Sequence, residues 1–298
     1  MNTNNSISIA SSAMLVELNI STWTARKLDK RVSAEVDTAN GTKTNAGNYN
    51  KNLLAGTGFL DTIIKYAANA RAWHISQTLP WSDNGLRLLP VTNFITYKEQ
   101  LNTLETNYNA LVEKFLVAYP NLVSAAAFQL GTLFNREEYP EADKIATKFK
   151  FGVNFLPVPT VNDFRVEIGE EAKQEILLSC QSAYEDRLNS AMKDAWSRLH
   201  EHLLRMSDRL SDLDTPRELK NGEKVYTKVF RDSLIENAVE LVELLKHFNL
   251  TNDPSMEQAR KDLNDAIMYH DVEDLRDNPH TRVAVKQKVD DILSKFNF

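Results

Sequence analysis

The sequence predicts an α+β protein, mostly α: an elongated antiparallel pair of long helices, a small β-sheet near one end, and packed C-terminal helices. Three observations carry that prediction. Across 169–213, apolar or small side chains recur every three or four residues, at Leu177, Cys180, Tyr184, Leu188, Ala191, Ala195, Leu199, Leu203, Met206, Leu210 and Leu213. That is the period of a helix burying one stripe. Leu177, Leu188, Leu199 and Leu210 also recur every eleven residues, so the stripe stays on one face of a nearly straight rod about 60 Å long. A second stripe (Leu101, Leu104, Tyr108, Leu111, Phe115, Ala118) marks a long helix over 92–119, ended or kinked by Pro120. Third, Phe149, Phe151, Val153 and Phe155 alternate with other residues, the pattern of a strand with one buried face.

Taken in order, residues 1–12 are rich in Asn, Ser and Thr and are expected to be a disordered N-terminus. Residues 13–298 read as a single elongated helical domain. Residues 13–20 form a short apolar run with Val and Ile, a buried strand. A polar turn at 21–25 leads into a basic helical piece. Residues 37–52, rich in Asn, Thr and Gly without a period, are expected to be a mobile loop. Residues 58–78 carry Phe59, Ile63, Ala67, Ala70 and His74 at helical spacing. A turn-rich break at 79–85 and a short extended piece at 87–90 precede the second long helix.

After Pro120, the Ser124-Ala-Ala-Ala patch is small enough for close helix approach, and 137–148 is a short charged helix. Residues 164–168 alternate and could pair with the 149–156 strand. Asn221-Gly222, between extended residues, predicts a hairpin or tight turn within 214–227. Three helices close the chain. One covers 229–248, one starts at Asp253-Pro254, and one starts at Asn278-Pro279, with proline placed in the first turn.

Composition bounds the function. The chain has 298 residues, 42% hydrophobic and 26% charged, with net charge -6 and pI ≈ 5.6. That argues against a general duplex-DNA binder. The single cysteine, Cys180, cannot form an internal disulfide. It lies on the long apolar stripe and is expected to be a buried thiol. No run approaches 18 apolar residues and the start lacks a basic, then apolar, signal pattern, so neither a membrane span nor a signal peptide is expected.

Candidate sites are few. His200 and His202 stand two apart, about 200° around a helix, so they cannot share an ion unaided and are expected on the helix surface. The acidic cluster at 269–274 lacks the spacing of a calcium loop. Gly56-Thr57-Gly58 precedes a helix but has no following Lys-Ser or Lys-Thr. No catalytic residue, cofactor site or metal site is expected. Arg26, Lys27, Lys30 and Arg31 beside Trp23 form the basic candidate: a solvated helix face, a protein contact, or cations and an aromatic for single-stranded nucleic acid. Trp81, with Arg87 close by, is either a lid on the core or an anchor for another subunit.

Several stretches are familiar together: 15–27 (LVELNISTWTARK), 79–85 (LPWSDNG), 124–131 (SAAAFQLG), 149–159 (FKFGVNFLPVP) and 230–237 (FRDSLIEN). On them the chain resembles a family of uncharacterised proteins from tailed bacteriophages, over most of residues 13–297. A weaker similarity, centred on the first strand and Trp-x-x-Arg-Lys, links it to a bacterial domain of unknown function. Genes for that domain often lie beside MoxR-type AAA+ ATPases and von Willebrand A-domain proteins. The family has no assigned activity, so no site residue is implied. The resemblance implies a bacteriophage protein in the host cytoplasm, working alongside a AAA+ ATPase. The expectation from the whole sequence is a non-enzymatic assembly or adaptor module that contacts itself, a phage protein or a host protein. The alternatives are an inhibitor of a host enzyme or defence complex, and single-stranded nucleic-acid binding through 23–51.

Overall fold

A computed structural model of the chain describes residues 9–159, 170–211, 216–218, 224–226, 233–270 and 272–296. It is 67% helical with short antiparallel strands, the α+β, mostly α class. The chain divides into two compact units. One comprises Met1–Glu17, Gln77–Ile95 and Phe155–Phe298, the other Leu18–Ser76 and Thr96–Asn154. Each has its own hydrophobic core.

The first unit is built on α5 (Glu170–Ser211), a helix of 42 residues. Leu188, Ala191, Ala195, Leu199, Leu203, Met206 and Leu210 are buried on it, the stripe that the spacing predicts. Its partners are α6 (Ser233–Phe248) and α9 (Pro279–Lys295), while α7 (Pro254–Ile267) packs on both of these, and α8 (Val272–Asp277) joins α9. The proline-start signals are realised: Asp253 caps α7 by accepting from Ser255 N–H at 2.8 Å, and Asn278 caps α9 by accepting from His280 N–H at 3.0 Å.

Within its own unit α5 packs against α9, α6 and the strand at Leu79–Pro80. Cys180 is exposed, not buried as its place on the apolar stripe suggested; the fully buried part of that stripe begins at Leu188.

The strands of this unit are β4 (Leu79–Pro80) and β5 (Arg87–Pro90), a hairpin in which Leu79 faces Leu88, and the start of β1 (Ala13–Ser21), whose Leu15 also faces Leu88. The full sheet has the order β4-β5-β1-β6, with β6 at Lys150–Pro157. Of the 1–12 lead-in, residues 9–12 are described. They form a turn in which Ile9 is buried and its N–H donates to Tyr184 Oη at 3.0 Å. β7 (Pro216–Glu218) and β8 (Lys224–Tyr226) pair antiparallel across Asn221-Gly222. The turn itself, and the extended piece expected at 164–168, lie outside the described residues.

The second unit holds α2 (Phe59–Ser76) and α3 (Phe94–Leu130) except the first two residues of α3. Pro120 does not end α3, which runs ten residues further. The helix continues past the proline because Tyr119, Leu122, Val123 and Ala126 bury in the core on both sides of it, offsetting the roughly 3 kcal/mol that an interior proline costs. Against it pack α2 through Ile63, Ala67 and Ala70, and the β1 and β6 ends through Ile20, Phe149 and Phe151. Shorter pieces complete the unit: β2 (Arg26–Leu28) paired with β3 (Asn50–Asn52), α1 (Lys30–Ala39) between them, a 3-10 turn at Arg136–Glu138, and α4 (Ala142–Ala146).

Candidate interaction surfaces

Of the predicted site residues, Trp81 and Arg87 turn inwards. Trp81 is 4% exposed, edge-on to Tyr184 with centroids 5.7 Å apart, and the Arg187 guanidinium lies 6.0 Å from its ring. It is a lid on the core. Arg87 donates from Nε to Thr78 Oγ1 at 2.6 Å and from Nη2 to the Thr78 carbonyl at 2.9 Å; Arg198 donates to the same carbonyl at 2.8 Å. Both arginines serve to satisfy a buried strand end.

The basic segment lies in the second unit. Arg26 and Lys27 stand on β2, Lys30 and Arg31 on α1, and all four side chains are exposed. Arg31 pairs with Glu35 at 2.8 Å. Ahead of them, Ala25 is buried at φ 49, a turn that sends the chain from β1 into β2. Within 37–52, Lys51 is 5% exposed, and its ammonium reaches Glu138 at 2.7 Å, Asp29 at 3.2 Å and the Leu133 carbonyl at 2.8 Å. Burial pulls the Lys51 pKa down, but the bonds and charges of Glu138 and Asp29 more than offset this and leave it raised. Asp29 also caps α1 through Val32 N–H, and that bond is the main reason its carboxyl lies below its usual range.

Trp23 is half-buried, its ring 6.0 Å from Tyr119 and 6.4 Å from Phe115. With Pro140, Ile145, Asp143, Lys144 and Lys148 it lines an open groove of about 490 Å³. Tyrosine hydroxyls fix the surroundings: Tyr119 donates to the Pro140 carbonyl at 3.0 Å and Tyr139 to that of Leu53 at 2.7 Å. Burial pushes both phenols up to about 12, so they remain donors.

A further surface lies on α3. Residues 115–135 contain no Asp, Glu, Lys or Arg. One side of this stretch is core. The other presents Val117, 78% exposed, and Phe128, 89% exposed, with Pro120, Asn121, Ser124 and Ala127 between them, all exposed. By length and composition Val91–Leu133 is the one helical stretch among the described residues that could cross a membrane, a finding that the apolar-run count missed. Core helices of water-soluble proteins satisfy the same measure, and nine α3 side chains are buried here.

Gly56 and Gly58 have φ of +77 and +70, values that side-chain-bearing residues rarely adopt, and a Cβ on Gly56 would approach Gln129 Oε1 to 3.2 Å. His202 is corrected from surface to interior. It is 7% exposed, with Nε2 buried and without a hydrogen-bond partner among the described residues. Burial, then the charge of Arg205, lowers its pKa to about 4. No group of three His, Cys, Asp or Glu among the described residues is placed to hold a metal ion. Residue 271 of the acidic cluster is outside the described residues.

No protein-family model, curated protein or solved structure matches the chain.

Proposed function

We propose that this chain works through protein–protein contacts as an assembly or adaptor module, and that the uncharged face of α3 docks against a second copy. The observation that supports this reading is Phe128, the most exposed large apolar side chain among the described residues, on a face that also carries Val117. Large apolar side chains exposed on an uncharged face commonly mark a contact site. In a chain of net charge -6, copies repel over most of their surface. A two-fold contact brings each residue near its own counterpart or that of a neighbour on the same patch, so a face without charges meets itself with no like-charge penalty. Ser124 and Ala127 leave room for close approach of two helices. The tailed-phage resemblance would set this work in an infected host cell, and a AAA+ ATPase or another phage or host protein would bind the assembled form.

The face is tested by a Phe128→Cys variant on a Cys180→Ser background. Mild oxidation gives a disulfide-linked dimer if two α3 faces meet, whereas Cys placed at the exposed Asn107 gives none. Equal dimer yield from both positions would overturn the reading.

A further inference from the structure

A second observation, independent of the α3 face, concerns the groove beside Trp23. We infer that it binds single-stranded nucleic acid, with one base against the Trp23 indole and neighbouring phosphates held by Lys144 and Lys148. The indole is a preformed platform. Tyr119 meets it edge-on at 77° and Phe115 at 52°, fixing the ring before any ligand arrives. The volume, about 490 Å³, lies within the range of small-ligand sites. Pro140 and Ile145 supply apolar wall.

The cations stand at hand. Lys144 on α4 and Lys148 in the turn after it both line the groove and are exposed, and among the described residues neither ammonium has an acidic partner. Asp143, also on the groove, accepts the Lys144 backbone N–H at 2.9 Å. Charge is divided between the two units. Leu18–Ser76 and Thr96–Asn154 together carry 14 Lys and Arg against 11 Asp and Glu, a net of +3, and the other unit carries 21 against 30, a net of -9. A polyanion is therefore favoured on the unit that holds the groove and disfavoured on the other. An aromatic platform needs an unstacked base, which a single strand offers and a duplex does not.

The test is fluorescence anisotropy of labelled dT20 at low salt, with the whole chain. Lys144→Glu with Lys148→Glu weakens binding at least tenfold and lowers the salt slope by about 1.4, two phosphate contacts at about 0.7 each. Lys43→Glu with Lys65→Glu, the same charge change at exposed positions of the same unit away from the groove, changes it less than threefold. Trp23→Leu weakens dT20 about tenfold but leaves an abasic oligomer unaffected. If Trp23→Leu unfolds the unit by circular dichroism, the exposed lysine pairs still decide. Absence of binding at low salt, equal loss in both double variants, or a poly-glutamate peptide bound as tightly as dT20 would overturn the proposal.

Discussion

The Lys51 ammonium lies 2.7 Å from the Glu138 carboxylate, both largely withdrawn from solvent. It also holds Asp29 and so ties the β2–β3 pair and the start of α1 to the turn before α4. Removing one member of a buried ion group leaves the others uncompensated. Lys51→Met is expected to lower stability by about 3 kcal/mol, read as the urea midpoint at constant slope. A change below about 1 kcal/mol would mean that the carboxylates are solvated.

His202 gives the protein a pH dependence of known sign. Its folded pKa is lowered to about 4 from 6.5, so between these values the unfolded chain holds a proton that the folded chain does not. Its contribution is complete above about pH 6.5 and is lost as pH falls towards 4. From pH 7 to pH 5 that amounts to about 2 kcal/mol. His202→Leu, which cannot titrate, should lose correspondingly less stability over the same interval. Parallel losses in both proteins would show that His202 protonates freely in the folded state.

Trp81→Ala removes a ring enclosed by the core and should cost about 3–5 kcal/mol, with the oligomeric state at low temperature unchanged. An interface anchor would give the reverse: unchanged stability and weakened association.

Cys180 should react with Ellman's reagent in the native protein, one equivalent per chain without denaturant, because its side chain is exposed. A thiol that reacts only on unfolding would indicate that this end of α5 is covered in solution.

These particulars mark what was legible in the sequence. The α5 stripe was, because helical period is local: Leu188 to Leu210 bury as their spacing requires. Cys180 was not, because exposure depends on what the rest of the chain lays against the helix. Pro120 was read by its local cost, while the packing of Leu122 and Val123 that outweighs it is tertiary. The 200° between His200 and His202 was legible as helix geometry, but not its consequence, that the same angle turns His202 inwards when His200 is partly exposed. Trp23 stood out from its sequence, but the groove did not, since Lys144 and Lys148 reach it from more than a hundred residues away. Nothing local distinguishes buried Lys51 from its solvated basic neighbours. The uncharged run at 115–135 was visible as composition, and only the fold reveals that Phe128 faces outwards.

The most direct test of the proposed self-contact is sedimentation equilibrium over a concentration series, comparing the unaltered chain with Val117→Glu plus Phe128→Glu. Both side chains are exposed, so folding should be unaffected by circular dichroism. The account predicts dimer or larger assemblies for the unaltered chain and a shift to the 33.9 kDa monomer for the variant, with at least a tenfold rise in dissociation constant. An unaltered chain that stays monomeric throughout, or assemblies indifferent to both glutamates, would contradict it.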